Sequence, residues 1–226
     1  MKVVEIFSSI EGEGKRTGLP VTFIRFYGCN LRCAFCDTQY SYKGDEYSVM
    51  SIPEIVQAVL DRGIFNITLT GGEPMMQPGI DKLIDMLLAI GCEINVETNG
   101  TYTVPEKYRE EEMIFFTMDY KGPSSKTDKV YSSDCLYCQN TLRSNDVLKF
   151  VVGTQADCDK MIEVLDRLES TPMVFISPIF VNNETEMQRQ VMLQKLVDYI
   201  MQHKLYNVRL QIQLHKVIWP ADKRGV

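Results

Sequence analysis

Three cysteines, Cys29, Cys33 and Cys36, follow the first predicted core strand. Their spacing lets three thiolates wrap three corners of an iron–sulfur cubane from one tight loop, since each thiolate must reach a different iron. No fourth cysteine lies nearby. A structural zinc site or a ferredoxin would close the metal with a fourth ligand. The pattern therefore predicts a [4Fe–4S] cluster with one iron open to a substrate or a cofactor.

Two more loops that could carry chemistry follow the second and third predicted strands. They read Thr-Gly-Gly-Glu-Pro at residues 70–74 and Glu-Thr-Asn-Gly at residues 97–100. Adjacent glycines remove side chains where a chain passes close to a ligand. Asn-Gly is by itself an ordinary turn signal. We expect both loops beside the cysteine loop, because functional residues gather at the carboxyl ends of parallel strands.

An acidic, glycine-rich block precedes the cysteines and reads Glu-Gly-Glu-Gly at residues 11–14. A carboxylate such as Glu13 can accept hydrogen bonds from two N–H groups on one edge of a ring, although a glutamate in such a turn is otherwise simply solvated. Arg25 lies inside an apolar strand and could hold a carboxylate with two parallel hydrogen bonds. The alternative is an ion-paired structural arginine.

Alternating helices and strands must position these loops. Apolar residues at helical spacing predict helices over 52–59, 80–87, 161–168 and 193–200, and Ser51 with Glu54 forms a capping-box pattern before the first. Unbroken apolar runs predict strands covered on both faces, near residues 21–27, 66–70, 93–98, 113–119, 146–152, 173–178 and 207–213. The order predicts an α/β fold, a partial (incomplete) β/α barrel of six or seven mostly parallel strands, in a single domain over residues 1–226. Residues 120–145 lack periodicity.

Composition narrows the class of protein. Of the 226 residues, 45% are hydrophobic and the formal net charge is −6, which excludes a disordered chain and argues against nucleic acid as a partner. No window approaches the ~18 uninterrupted apolar residues of a membrane span, and the first residues lack the features of a signal peptide. We therefore expect a cytoplasmic protein without membrane contact. In a reducing compartment, cysteines serve metals or chemistry more often than disulfides.

The pattern CxxxCxxC resembles the signature of the radical S-adenosylmethionine (SAM) superfamily. The resemblance implies that the open iron binds SAM, whose reductive cleavage yields a radical that abstracts a substrate hydrogen. It also implies SAM contacts from the aromatic residue between the last two cysteines, from the Gly-Gly-Glu-Pro loop and from polar strand ends. These predicted SAM-binding residues are Phe35, Cys36, Asp37, Gly72, Glu73, Glu97, Asp119, Tyr120, Lys121, Ser177 and Pro178.

A narrower resemblance spans nearly the whole chain. Phe-Ser-Ser-Ile-Glu-Gly-Glu-Gly at 7–14, Cys-Asp-Thr at 36–38 and Gln-Ile-Gln-Leu-His-Lys at 211–216 resemble the 7-carboxy-7-deazaguanine synthases. That family normally has glutamine where this chain has Glu11, and a carboxylate cannot donate as an amide does. The resemblance implies contacts to 6-carboxy-5,6,7,8-tetrahydropterin from Ile10, Glu11, Gly12, Glu13, Arg25, Thr70, Gln213, His215 and Val226.

The same resemblance implies a reaction and its partners. A hydrogen is abstracted at C6 of the pterin, the ring contracts with the help of Mg²⁺ bound by Thr38, a hydrogen returns to regenerate SAM, and ammonia leaves as the ring becomes aromatic. From the residues alone, Asp37 or Thr38 could instead cap the following turn. The resemblance further implies a homodimer and an electron donor such as flavodoxin or ferredoxin.

Two alternative functions and one further cysteine motif stay open. A radical SAM activase of a glycyl-radical enzyme carries the same cysteine spacing, although the acidic block and the Gln-x-His-Lys end favour a small anionic substrate. An iron–sulfur electron carrier or zinc-stabilised module is the non-enzymatic alternative. Cys135, Cys138 and Cys158 could form part of a metal or redox site or be ordinary thiols, and we expect the latter.

Overall fold

The computed structural model describes residues 1–127, 133–180, 184–220 and 223–226. In this part of the chain, strands form one nine-stranded sheet in the order β3-β1-β2-β4-β5-β6-β7-β8-β9. The strands are β1 (Lys2–Ile10), β2 (Pro20–Phe26), β3 (Ser48–Val49), β4 (Asn66–Gly71), β5 (Glu93–Thr98), β6 (Ile114–Lys121), β7 (Val147–Val152), β8 (Met173–Pro178) and β9 (Val208–Leu210). The helices are α1 (Ile52–Arg62), α2 (Ile80–Ala89), α3 (Ser133–Gln139), α4 (Gln155–Leu165), α5 (Glu186–Gln202) and α6 (His215–Ile218).

The sheet confirms the predicted α/β class and the incomplete barrel. From β2 through β4 to β9, every neighbouring pair of strands is parallel. All seven predicted strands lie in this parallel part. The sheet is open, with β3 at one edge and β9 at the other. The carboxyl ends of the parallel strands therefore share one rim, as the sequence predicts for the loops that carry chemistry.

Some elements were not predicted. β1 pairs antiparallel with β2, and β3 adds to β1 at the edge. Helix α3 lies within the stretch that lacks periodicity. Helix α4 begins earlier than its apolar spacing suggests, because the Thr154 amide donates to the Asp157 carboxylate and caps its start. It also ends earlier, so that Leu168 lies beyond its end. Short elements without a full apolar stripe leave little signal in a sequence.

The central parallel strands are covered on both faces, as predicted, but the two faces differ in polarity. One face carries residues such as Leu69, Val96 and Leu148 into the core cluster with the helices. The residues between them face the inner side and include Thr68, Asn95 and Lys149, which are buried but polar. Successive side chains of a strand point to opposite faces. The inner side is therefore a polar surface, which holds the candidate site.

Helix α1 illustrates how the local sequence sets an element. The Ser51 hydroxyl accepts from the Glu54 amide and the Glu54 carboxylate accepts from the Ser51 amide, which confirms the predicted capping box. The helix ends at Gly63, whose φ of 67° favours glycine. In the described ranges, no helix is long and apolar enough to span a membrane.

Candidate active site

A cavity of about 1020 Å³ opens at the carboxyl ends of the parallel strands. The cysteine loop, the loop after β4, the ends of β5, β6 and β8, and the segment after β9 all contribute to its wall. Of the predicted site residues, those on the cavity wall are Ile10, Glu11, Gly12, Glu13, Arg25, Cys29, Cys33, Phe35, Cys36, Asp37, Thr38, Thr70, Gly72, Glu97, Asp119, Lys121, Ser177, Pro178, Gln213, His215 and Val226. The fold thus brings residues from both ends of the chain into one site.

The three cysteines of the loop are free thiols on the same cavity wall. The Cys29 sulfur accepts from the Leu31 amide at 3.4 Å and from Asn99 Nδ2 at 3.7 Å. Burial raises the pKa of Cys29 and of Cys33. In the residues that the structure describes, no three His, Cys, Asp or Glu side chains converge on one metal ion. A cubane does not require that convergence, because its cysteines bind different irons; three free thiols on one wall fit a cluster.

The two glycines after β4 pack against a close backbone and also lie on the cavity wall. The Gly72 amide donates to Phe26 O at 3.0 Å, and the Glu73 amide donates to Gly28 O at 2.7 Å. A side chain on Gly71 would overlap the Phe26 backbone, and one on Gly72 would overlap the Gly28 carbonyl. This gives a second reason for the glycines, beside the close approach of a ligand that the sequence predicts. They let the loop pack directly on the start of the cysteine loop.

The Glu73 side chain is fully buried and does not line the cavity. It accepts from the Met75 amide, from the Thr98 hydroxyl at 2.9 Å and from the Asn99 amide at 2.7 Å. Burial raises its pKa to about 7 although these donors favour the ionised form. In this structure, Glu73 joins the loop after β4 to the end of β5.

A chain of alternating charges crosses the inner side of β6, β7 and β8. Glu13 accepts from Ser177 Oγ at 3.1 Å and pairs with Lys149 Nζ at 2.7 Å. Lys149 Nζ lies 2.8 Å from Asp119, which also pairs with Lys121 at 2.6 Å. Burial alone would lower the pKa of Lys149, but Asp119 and Glu13 raise it well above its usual value. Burial opposes ionisation of Asp119, yet the two lysines lower its pKa. All four charged side chains therefore act as one network.

Glu11 is tied to the inner surface of the sheet. Its Oε2 accepts from Thr68 Oγ1 at 2.6 Å and lies 3.6 Å from Arg16 NH2. Both Glu11 and Arg16 are buried. Arg16 also donates to the Ile67 and Glu93 carbonyls. Burial raises the pKa of Glu11, while Thr68 and Arg16 oppose that shift. The carboxylate that replaces the family's glutamine thus has its own buried cation.

Arg25 lines the cavity, which supports a role in holding a substrate carboxylate, and it is ion-paired, which supports a structural role. Its Nε lies 2.7 Å from Glu5 Oε1, and Tyr40 donates to the same oxygen at 3.1 Å. The guanidinium also lies over the rings of Phe7 and Tyr40. The Glu5 contact uses Nε and orients the guanidinium on the cavity wall.

The segment after β9 forms one side of the cavity. The Leu214 amide donates to Gly12 O at 3.0 Å, and a side chain on Gly12 would overlap the His215 ring. Lys216 pairs with Asp37 at 3.1 Å. Burial lowers the pKa of His215. Thr38, the predicted magnesium ligand, has its hydroxyl 3.8 Å from the Cys36 sulfur.

Tyr120 and the remaining cysteines of the sequence analysis do not line the cavity in the described part of the chain. The Tyr120 side chain points to the helix side of the sheet and packs on Phe150 at 5.2 Å between ring centroids, so it does not line the cavity with Asp119 and Lys121. Cys138 and Cys158 are buried in the core, whereas the side chain of Cys135 lies outside the described residues.

Sequence reasoning missed three residues at the site. Lys149 is the central cation of the charge network, Arg16 neutralises Glu11, and Asn99 links Glu73 to Cys29. A lysine in the middle of the run Val-Leu-Lys-Phe-Val-Val was a signal, since an unpaired charge is rarely tolerated there. Arg16 gave no comparable signal in its polar loop, although Glu11 is near in sequence. Asn99 belongs to the predicted Glu-Thr-Asn-Gly loop, but its partners Glu73 and Cys29 are distant in sequence.

Comparison with known proteins places the chain in a family. The model of the Radical SAM superfamily matches residues 23–196. A protein from Clostridium acetobutylicum named 7-carboxy-7-deazaguanine synthase is 38% identical, over 100% of this chain and 99% of that protein. One of the same name from Thermoplasma acidophilum is 33% identical over 100% of both chains.

Solved structures agree in fold. The crystal structure of QueE from Escherichia coli matches with a TM-score of 0.68 and 22% identity, over 94% of this chain and 93% of that one. Streptococcus suis SuiB matches with a TM-score of 0.55 and 15% identity, over 85% of this chain and 48% of that one. The solved structures show the fold, and the sequence comparisons show the family. This chain belongs to the radical SAM superfamily and, within it, to the family of 7-carboxy-7-deazaguanine synthases.

Proposed function

We propose that this protein converts 6-carboxy-5,6,7,8-tetrahydropterin into 7-carboxy-7-deazaguanine and ammonia, a step in the biosynthesis of queuosine and other 7-deazapurines. The observation that carries the proposal is similarity over the full chain to proteins named 7-carboxy-7-deazaguanine synthase. The Clostridium acetobutylicum protein of that name is 38% identical in sequence. The cavity supports it, because three thiols and a set of charged side chains share one wall.

Cys29, Cys33 and Cys36 would hold the [4Fe–4S] cluster, with SAM in the adjoining part of the cavity. When bound, the cluster and SAM supply the one-electron chemistry that abstracts a hydrogen atom from a substrate carbon. The chain's own part is to fix the loop. The Ala34 amide donates to Ser125 O at 2.9 Å, and the backbone of residues 72–73 holds the start of the cysteine loop.

The substrate is an anion whose ring has N–H donors on one edge. Glu13 suits that edge, because a carboxylate accepts from two parallel N–H groups. Lys149 and Ser177 hold Glu13 in place. Arg25 suits the substrate carboxylate, with its guanidinium oriented by Glu5. We infer that these residues orient the pterin for hydrogen abstraction.

The proposal also includes a Mg²⁺ ion, an electron donor, an oligomeric state and a cellular location. Thr38 would supply one hard oxygen to Mg²⁺, which keeps most of its ligands as water or substrate oxygens. The position of Thr38 on the cavity wall beside Cys36 supports that role. By the family resemblance, we propose a cytoplasmic homodimer that receives electrons from flavodoxin or ferredoxin.

Anaerobic reconstitution tests the function. The protein is loaded with iron and sulfide, reduced with dithionite, and supplied with SAM, Mg²⁺ and carboxytetrahydropterin. We expect 7-carboxy-7-deazaguanine and equimolar ammonia by mass spectrometry and an ammonia assay. SAM cleavage without deazaguanine would contradict the synthase and favour an activase. A reduced cluster that never cleaves SAM would indicate an electron carrier.

A further inference from the structure

The Asn99 side chain directly follows β5 and is held in one orientation beside the cysteine loop. Its Oδ1 accepts from the Thr101 amide at 3.1 Å and from the Thr101 hydroxyl at 2.7 Å. A backbone amide can only donate, so the oxygen of the Asn99 side chain must face Thr101. The nitrogen therefore faces the other way, where its neighbours are the Cys29 sulfur at 3.7 Å and Asn30 Oδ1 at 2.8 Å.

Three polar side chains beside the cysteine loop form a closed ring of hydrogen bonds. Asn99 Nδ2 donates to Asn30 Oδ1, Asn30 Nδ2 donates to Thr101 Oγ1 at 2.8 Å, and that hydroxyl donates to Asn99 Oδ1. The nitrogen of a side-chain amide carries two hydrogens. The ring uses one hydrogen of the Asn99 amide, and the other is directed to the Cys29 sulfur.

The backbone of Asn99 is fixed as well. Its amide donates to Glu73 Oε2 at 2.7 Å, and the Glu73 amide donates to Gly28 O at 2.7 Å, next to Cys29. Asn99 is 7% exposed, so water competes little with its contact to the sulfur. The Leu31 amide donates to the same sulfur at 3.4 Å. Two N–H groups, one from a side chain and one from the backbone, therefore point at the Cys29 sulfur.

Hydrogen bonds to the cysteine sulfurs are among the features that set the reduction potential of an iron–sulfur cluster. A reduced cluster carries one more negative charge than the oxidised cluster, so an N–H donor stabilises the reduced form more. Exclusion of water strengthens that preference. Reductive cleavage of SAM requires the reduced form, so a donor at this sulfur favours the state that the proposed chemistry uses.

We propose that Asn99 is a positioning residue for the cluster, and that its hydrogen bond to the Cys29 sulfur raises the reduction potential of that cluster. The inference rests on the cluster ligands of the proposed function. It gives a task to a residue that the sequence marked only as part of a turn. No covalent bond forms or breaks in this role, because the amide acts through the charge of its N–H dipole.

The test is a redox titration of the reconstituted protein, followed by the electron paramagnetic resonance signal of the reduced cluster. Asn99→Leu removes the donor. It should lower the ratio of reduced to oxidised cluster at a fixed potential by about tenfold, the size expected for one hydrogen bond to a charged group. That ratio corresponds to a midpoint potential about 59 mV lower for a one-electron couple. A midpoint that is unchanged or higher in Asn99→Leu would overturn the proposal.

Thr101→Val is the matched control. It breaks the ring at the Thr101 hydroxyl, whereas the Thr101 amide still holds Asn99 Oδ1 and keeps the nitrogen turned to the sulfur. Its midpoint potential should lie closer to that of the wild type than to that of Asn99→Leu. Equal shifts in the two variants would refute the role of the sulfur contact, because a general loosening of the loop would explain both.

A second measurement uses the wild type and needs no variant that forms a cluster. The protein is produced with asparagine labelled with ¹⁵N at the side-chain amide, and pulsed electron paramagnetic resonance of the reduced cluster detects a nitrogen that donates to a ligand sulfur. Asn30 Nδ2 faces Thr101, so a ¹⁵N coupling reports Asn99. Absence of that coupling would contradict the proposal. A wild type that forms no cluster would instead refute the proposed cluster ligands, so the two failures are distinguishable.

Discussion

The backbone amide of Asn99 donates to Glu73 Oε2 at 2.7 Å, while the Asn99 side chain contacts the Cys29 sulfur at 3.7 Å. Three separate segments therefore meet at these two residues: the loop after β4, the end of β5 and the cysteine loop. Because Glu73 is fully buried, its carboxyl group supports the site from behind. Its burial also makes it a source of pH-dependent stability.

Stability should fall as the pH rises from about 4.5 to 7. Burial raises the pKa of Glu73 to about 7, so over this range the folded protein holds a proton that the unfolded chain has lost. Burial also raises the pKa of Glu97 to about 7, so Glu97 lowers the stability over the same pH range. Urea unfolding of the cluster-free protein at several pH values should give a shallower slope for Glu73→Gln than for the wild type. Parallel slopes would show that Glu73 does not titrate in this range.

Arg16→Met should destabilise the fold by about 3–5 kcal/mol, because it leaves the Glu11 carboxylate buried without its cation. Glu11→Gln in the same chain should recover part of that loss, since an amide carries no charge to bury. The four proteins form a double-mutant cycle measured by urea unfolding. Additive effects of the two substitutions would contradict the coupling.

Gly72→Ala should reduce the iron content after reconstitution, because its methyl group overlaps the Gly28 carbonyl at the start of the cysteine loop. Gly12→Ala is the matched comparison: its methyl group overlaps the His215 ring instead. That variant should keep the cluster and bind the substrate more weakly. Iron analysis and the visible absorption of the cluster separate the two, and equal iron loss would refute the distinction.

Thr38→Ala should weaken the stimulation of product formation by Mg²⁺ while leaving the iron content unchanged. The hydroxyl is the oxygen proposed for Mg²⁺, and without its 3.8 Å contact to the Cys36 sulfur the cysteine loop keeps the backbone hydrogen bonds of Ala34 and Gly28. Rates measured across a magnesium titration test this, with Thr38→Ser as the control that keeps the hydroxyl. Identical magnesium dependence in the wild type and Thr38→Ala would remove Thr38 from the metal site.

Lys149→Met should raise the KM for the substrate at least tenfold. The substitution removes the cation between Glu13 and Asp119 and leaves two half-buried carboxylates without it. Lys149 helps to lower the pKa of Asp119, so that pKa should rise in the variant and the loss should be smallest at low pH. A KM that is raised by the same factor at every pH would indicate that Lys149 acts through packing alone.

Much of the site could be predicted because it depends on local patterns. The spacing of the three cysteines, the Gly-Gly-Glu-Pro loop and the seven apolar runs identify an α/β radical SAM fold with its chemistry at one rim. Tyr120 marks the limit of that reasoning. The family resemblance of this strand end grouped it with Asp119 and Lys121, but successive residues of a strand face opposite sides of the sheet.

The sequence by itself determined the family, the parallel strands and the loop that carries the cysteines, since each depends on residues that are close along the chain. Only the tertiary structure decided which charges neutralise one another. Lys149 meets Glu13 across 136 positions of sequence. A buried charge is stable only beside its partner, and such partners are chosen by the strand order and register, which place distant residues on the same inner face.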